Sequence, residues 1–411
     1  MRKDTSYTTS VRSSIFNNIM NFGTTIFEPS THDKIVQTVE EHVSVKISQV
    51  LQIGQLYIVK KRFLKSNKKY IFVLSKDCLY YSLSYPSIVG RNYEFKSKAR
   101  INIAWLQTRF YTMNESCSAE DNYCIEIIKK NKSVTLMCDK INEYNAWVTN
   151  LSHHSIQTNF FKKFSVNQLL SRKDRCTVYK VTNKFNAKQY ACKKFKKASI
   201  KSAEDFELLI NEIMILRLVK NSNVTADIEE VHETDNSVYI VMELLEGGKA
   251  INIENIRSMN VINHLATKVL TTLTILEKYK VQHSNLTEDN IMLVHKNKPI
   301  KHNEIRLVGF SNALIKKEKS ALFRNLGIST EEASHEIKEF QLYYPQKPLN
   351  DLDAFIRLLY KLLTDFYSMI YSTDQVDLIS ENKNLDLNHI AFRSAPIGCK
   401  LISAKSYPLH G

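Results

Sequence analysis

Between Gly90 and Gly247 the chain contains no glycine, and only nine occur in all 411 residues. Glycine is the residue that lets a main chain press closely against a phosphate without a Cβ in the way. A glycine-lined phosphate cradle is therefore excluded from the whole central stretch. Otherwise the composition is that of a chain that folds, with 43% apolar and 24% charged residues and enough length for two or three domains with cores of their own. Seven cysteines, odd in number and never spaced C-x-x-C, argue against a disulfide framework or a zinc module and point to a reducing cytoplasm. No apolar run reaches the roughly 18 residues of a membrane span, so any membrane contact is expected to be peripheral.

The formal charge of +15 would suggest nucleic acid if it were spread evenly. It is not. Residues 51 to 100 hold eleven Lys and Arg against two acidic residues, and Gly54 to Lys76 holds seven cations (Lys60, Lys61, Arg62, Lys65, Lys68, Lys69, Lys76) with no acid. Such a cluster suits phosphates or an anionic surface, and equally a solvated hairpin tip. Nucleic acid is not an expected partner.

Residues 1–48 are rich in Ser, Thr and Asn and read as a mostly disordered lead. From Gly54 to Cys138, short β-branched and aromatic runs (Leu56–Val59, Tyr70–Leu74, Leu79–Tyr81, Tyr123–Ile128, Val134–Cys138) alternate with polar turns, an antiparallel pattern. It closes in Lys140–Leu151, where Ile141, Tyr144, Trp147, Val148 and Leu151 share one helical face. With Gly54-Gln55-Leu56 opening the first strand and Trp147 in the closing helix, residues 50–155 resemble a pleckstrin-homology domain. That resemblance implies a β-barrel with a C-terminal helix and a phosphate site on the first two strands, here Lys60 and Lys68 with Lys61, Arg62 and Lys69 beside them. Tyr70 stands where an arginine is expected, which argues against high-affinity recognition of one particular inositide.

From Phe160 the texture changes to strands followed by long helices, with helical apolar spacing over Asp205–Val219 and Val261–Tyr279. Tyr190-Ala191-Cys192-Lys193, Asn211-Glu212, Val241-Met242-Glu243-Leu244-Leu245, His283-Ser284-Asn285 with Asn290, Leu307-Val308-Gly309-Phe310-Ser311, and Asp351 with Leu358–Leu363 follow in order. These landmarks resemble those of a protein kinase. The resemblance implies two lobes, a pair between Lys193 and Glu212, and an adenine slot formed by Val178, Ala191 and Met292. Met242 would stand at the gate of that slot, with the backbone near Glu243 and Leu245 as the hinge. Leu216, Phe310, His283 and Asp351 match positions that pack the interior.

The departures from that family share a chemical logic, because phosphoryl transfer rests on positioning and charge neutralisation. The three loop glycines fall on Ser171, Lys173 and Cys176. The catalytic base becomes Asn285, an amide without acid–base chemistry near neutral pH. The metal-binding aspartate becomes Gly309, leaving Asn290 as a poor residual ligand for magnesium. Tyr344-Pro345-Gln346 replaces A-P-E, and only 47 residues follow Thr364, which implies a reduced substrate-docking surface.

The combined expectation is a multi-domain α+β chain: a lead over 1–48, a pleckstrin-homology-like domain over 50–155, and a kinase-like domain over 160–411. A short basic linker near Lys162 and Lys163 would join the two domains. The lobes divide near residue 245, and the second is shortened. The expected role is a pseudokinase scaffold or regulator with no intact catalytic residue and no required cofactor. ATP or adenosine would bind without magnesium, if at all, and the partners would be anionic lipids and proteins, an active kinase among them. An active serine/threonine kinase with displaced ligands, such as Glu288 or Asp289, is the alternative.

Overall fold

The computed structural model describes residues 35–38, 40–59, 68–76, 78–113, 122–129, 132–173, 175–251, 258–315 and 351–372. Its N-terminal unit is strand-rich: β1 (Glu41–Lys46), β2 (Val50–Val59), β3 (Lys68–Ser75), β4 (Cys78–Ser82), β5 (Ser87–Val89), β6 (Asn92–Asn102), β7 (Gln107–Met113), β8 (Asn122–Lys129) and β9 (Lys132–Cys138). Seven of these form one antiparallel path, β6-β4-β3-β2-β9-β8-β7. The first strand of that path in the chain, β2, pairs with the last, β9, through Tyr57↔Met137 and Val59↔Thr135. Helix α1 (Ile141–His154) follows and buries Tyr144, Trp147 and Leu151 in the same core as Leu56, Phe72, Leu79, Ile125 and Leu136.

Gly54 explains how the tryptophan fits. A Cβ built on Gly54 would lie 3.2 Å from Trp147 Cζ2 and 3.3 Å from Nε1, closer than most real side-chain contacts. The glycine of the opening strand and the tryptophan of the closing helix are thus one packing arrangement.

The expected lead ends earlier than residue 48. Glu41–Lys46 pairs in full antiparallel register with β6, Ile35 is buried, and Gln37 bridges Arg100. Val43 and Val45 alternate inward against Phe95 and Val73, so this strand is held by two valines in a polar run too short to announce itself. Strand β6 was also silent in the sequence, because its inward positions include Ser97 and Ala99 beside Phe95 and Ile101, which blurs the apolar alternation.

Strand β10 (Ile156–Gln157) then joins the two units into one sheet, pairing in parallel with β7 on one side and β14 (Ile228–Glu233) on the other. Beyond it run β15 (Ser237–Met242), β13 (Gln189–Lys196), β12 (Cys176–Asn183) and β11 (Phe164–Arg172). Helix α2 (Ala203–Leu218) packs on this half, with the N-cap Ser202 accepting from the Asp205 N–H at 3.1 Å and Asp205 accepting from the N–H of the preceding Lys201 at 3.0 Å. Helix α3 (Met259–Lys278), the short pairs β16 (Val281–Gln282) with β19 (Leu314–Ile315) and β17 (Ile291–Leu293) with β18 (Ile305–Leu307), and helix α4 (Asp351–Ser372) make the second lobe.

The linker is structured rather than merely basic. Lys163 forms an ion pair with Glu230, which is buried and also bonded to His232 at 2.9 Å. Burial alone would raise the Glu230 carboxyl, but the His232 and Lys163 contacts outweigh it and hold the group down at about 2. Phe160 stacks on Tyr239 with ring centroids 4.0 Å apart, anchoring the same turn in the sheet.

Candidate functional site

Lys193 on β13 and Glu212 on α2 meet across the first lobe, with Nζ 2.7 Å from Oε1 and 2.6 Å from Oε2. The carboxylate is buried, so a lysine from the facing strand is what makes its charge tolerable there. A third partner was not anticipated: the Ser311 hydroxyl donates to Glu212 Oε2 at 2.6 Å. Next to it, the Asn211 amide donates to the carbonyls of Ser311 (2.8 Å) and Ala313 (2.6 Å). Two consecutive residues of α2 therefore grip the segment that follows Gly309. The sequence signal is a polar pair, Asn211-Glu212, within the otherwise apolar run Leu208–Leu216.

At the position expected to carry the metal aspartate, Gly309 has φ 85° and ψ 51°. A Cβ there would stand 2.9 Å from Asn290 Oδ1, so this backbone and this neighbour both call for glycine. Asn290 is buried, and its amide nitrogen is already bonded to the Asn285 carbonyl at 2.8 Å. The Asn285 side chain is solvent-exposed. Neither of the acids considered as substitutes faces an empty partner: Asp289 pairs with Lys249 at 2.5 Å and Glu288 with Lys361 at 2.7 Å.

The glycine-free loop is a tight hairpin. Ser171 and Arg172 pair with Val178 and Thr177, and the Lys173 N–H donates to the Cys176 carbonyl at 2.9 Å. Cys176 is buried, and burial pushes its thiol up. Of the expected adenine-slot residues, Ala191 is buried on β13 beside Met242 of β15, and Val178 lies opposite Lys193 on β12. Met292 comes from the other lobe, on β17. In the connector, the N–H groups of Glu243, Glu246 and Gly247 donate to Asp227, Val294 and Leu293. Gly247 is required where it stands, since its Cβ would meet Leu293 Cβ at 2.5 Å and the Leu293 carbonyl oxygen at 2.7 Å.

The interior of the second lobe is organised by Asp351 at the start of α4. Its carboxylate accepts from the backbone N–H of His283 (2.6 Å) and of Ser284 (2.8 Å), the latter in left-handed backbone at φ 60°. The buried His283 ring lies 4.6 Å from Phe310 and bonds the Val308 carbonyl at 3.1 Å, while its Nδ1 accepts from the Asn285 N–H. Burial lowers its pKa, in keeping with a neutral ring that donates through Nε2. Phe310 and Leu216 share the main core.

Residues 164–330 match the protein kinase domain. The matched segment is accompanied in this chain by a strand-rich unit that touches it directly. Among curated relatives, the chain is similar to CaM kinase-like vesicle-associated protein of Takifugu rubripes, 26% identical over 228 residues, which are 55% of this chain and 51% of that protein. The Xenopus laevis protein of the same name is 26% identical over 226 residues, 54% of this chain and 57% of that protein. Calcium-dependent protein kinase 20 of rice (Oryza sativa subsp. japonica) is 29% identical over 131 residues, 31% of this chain and 24% of that protein. The chain spans about half the length of the vesicle-associated relatives, or less.

The back of α2, within the matched segment, is held by the N-terminal unit. Arg217, in the last turn of the helix, donates to the carbonyls of Ala104 (2.8 Å) and Ser155 (3.0 Å), and its guanidinium lies 5.6 Å from the Trp105 ring. Ala104, Trp105 and Ile156 join Leu209, Ile213 and Leu216 in one core. Helix α2 therefore buries more than one face, which is why the run Leu208–Leu216 is apolar apart from Asn211 and Glu212. Replacing Arg217 by alanine removes charge-assisted bonds that contribute roughly 1.5–3 kcal/mol each. The expected result is a calorimetric transition that splits into two. A single transition at the wild-type temperature would mean that the two units are not coupled through this residue.

Of the expected phosphate-binding cations, Lys60, Lys61 and Arg62 lie outside the described residues, as does Tyr344-Pro345-Gln346. Lys68 opens β3. Lys69 has Nζ 3.5 Å from the Asp139 carboxylate and 5.0 Å from the Tyr57 ring centroid, so part of its charge is already answered within the protein. Among the described residues no helix is long and apolar enough to cross a membrane.

Proposed function

We propose that this chain is a pseudokinase scaffold or regulator, and that its N-terminal unit is a pleckstrin-homology-like domain that brings it to an anionic membrane or to a protein partner. The observation that carries the first part is Gly309. Its left-handed backbone and the 2.9 Å approach of Asn290 leave no room for the carboxylate that would neutralise a triphosphate through magnesium. The amide at 285 and the glycine-free hairpin remove general-base help and close phosphate contact at the same time. The Lys193–Glu212–Ser311 contacts, by contrast, need no nucleotide and suit a domain whose role is to present a surface in one arrangement.

Three features support the second part: the path β6-β4-β3-β2-β9-β8-β7, the closing helix, and Gly54 beneath Trp147. Vesicle association in the name of the relatives agrees with a cytoplasmic protein held at a membrane surface. An active serine/threonine kinase with atypical residues is the second reading, favoured by the intact Lys193–Glu212 pair.

A thermal melt combined with a phosphate-transfer assay separates the two. Adenosine and ATP are expected to stabilise the protein alike, without magnesium, and no phosphate should move to a generic peptide. A ligand at a hundredfold over its Kd stabilises by about 2.7 kcal/mol, which such a melt resolves easily. Magnesium-dependent turnover that disappears in Lys193→Ala would overturn the proposal in favour of the active kinase.

A further inference from the structure

Five large apolar side chains stand out of the N-terminal unit at one place. Leu83 (55% exposed), Tyr85 (60%), Ile88 (63%) and Val89 (51%) fall within seven consecutive residues, and Ile47 (40%) is brought beside them by its N–H bond to the Arg91 carbonyl at 3.0 Å. Single exposed apolar residues are ordinary, but such a concentration marks a contact surface. All three residues of β5 are exposed, and among the described residues the strand pairs only with β6. It is a hairpin flap, turned at Gly90 with φ 61°, and its three residues stay exposed among the described residues.

The rim is cationic. Lys46 pairs with Asn92 in register and Arg91 follows the turn, both exposed; residues 83–93 contain no Asp or Glu, and the next residue, Glu94, lies opposite Ser87 with His42 3.9 Å from its carboxylate. The register also fixes where the flap emerges. Ser82 lies opposite Ile71, so residues 83–91 leave the sheet at the end where β2 finishes and β3 begins. A protruding set of aliphatic side chains with one tyrosine and a basic rim fits a deformable anionic phase better than a rigid protein groove.

We infer that Ile47, Leu83, Tyr85, Ile88 and Val89 form an apolar anchor that inserts into the headgroup region of an anionic bilayer. Lys46 and Arg91 meet the lipid phosphates around it. The inference rests on the membrane reading above, and it adds an insertion step that charge alone does not supply.

The test is flotation of the full chain with phosphatidylcholine vesicles, with and without phosphatidylserine, at low and high salt. Wild type should bind the anionic vesicles and keep part of that binding at high salt. Ile88→Ser with Val89→Ser leaves every cation in place and should reduce partitioning at least about tenfold, because each buried aliphatic side chain contributes about a factor of ten or more. What binding remains in that variant should vanish with salt. As a gain of signal, Ile88→Trp should shift its emission to the blue on anionic vesicles and be quenched by brominated acyl chains. Unchanged partitioning of the serine variant together with an unshifted tryptophan would overturn the anchor. If Lys46→Glu with Arg91→Glu then still abolished binding, electrostatic recruitment would stand without the anchor. If wild type failed to bind any vesicle, both would fall. A concentration-dependent dimer lost in the serine variant would instead assign the patch to a second copy of the chain.

Discussion

Replacing Lys193 by methionine will lower the melting temperature by about 6–20 °C, although no catalysis is at stake. The variant leaves the Glu212 carboxylate buried with the Ser311 hydroxyl as its remaining partner. Removing one member of a buried pair costs roughly 3–5 kcal/mol, and each kcal/mol shifts a domain of this size by about 2–4 °C. Adding Glu212→Leu should recover most of the loss, since the uncompensated charge is then gone. Circular dichroism melts of the wild type, both single variants and the double variant complete the cycle. A Lys193→Met protein that melts with the wild type would mean that Glu212 finds another partner, and the pair could not be what holds α2.

Asp351→Ala will loosen the second lobe by roughly 3–6 kcal/mol. Two backbone N–H groups, of His283 and Ser284, lose the carboxylate they donate to, at roughly 1.5–3 kcal/mol each. Ser284 also loses the contact that compensates its left-handed backbone. Amide exchange at residues 283 and 284 should quicken on the order of a hundredfold or more, while the β12–β13 hairpin of the other lobe stays protected. Uniform acceleration across both lobes would show that Asp351 supports the whole chain and is not a local organiser.

The strands of the N-terminal unit were legible wherever inward positions carried bulky side chains, as in Tyr70–Leu74 within β3 and Val134–Cys138 within β9. They were illegible where a neighbour supplied the bulk. Ser97 and Ala99 can sit inside β6 because larger side chains fill the core around them, and no local pattern records that. The kinase landmarks were legible because each is a short run of residues with a fixed chemical task. Their replacements were legible too, since an amide or a glycine in place of a carboxylate is visible without coordinates.

By itself, the sequence determined which chemistry is missing: there is no glycine between Gly90 and Lys193 to cradle phosphate, no carboxylate at 285 and none at 309. It also carried the order of the landmarks and the helical face around Trp147. Tertiary structure alone decided what those positions do instead. Gly309 is held against Asn290, Ser311 reaches Glu212, and Arg217 ties α2 to Ala104 and Ser155, contacts between residues about 20 to 110 positions apart in the chain. Such pairings depend on where whole elements come to rest, and the burial that places them is spread over dozens of side chains, none of which names its partner.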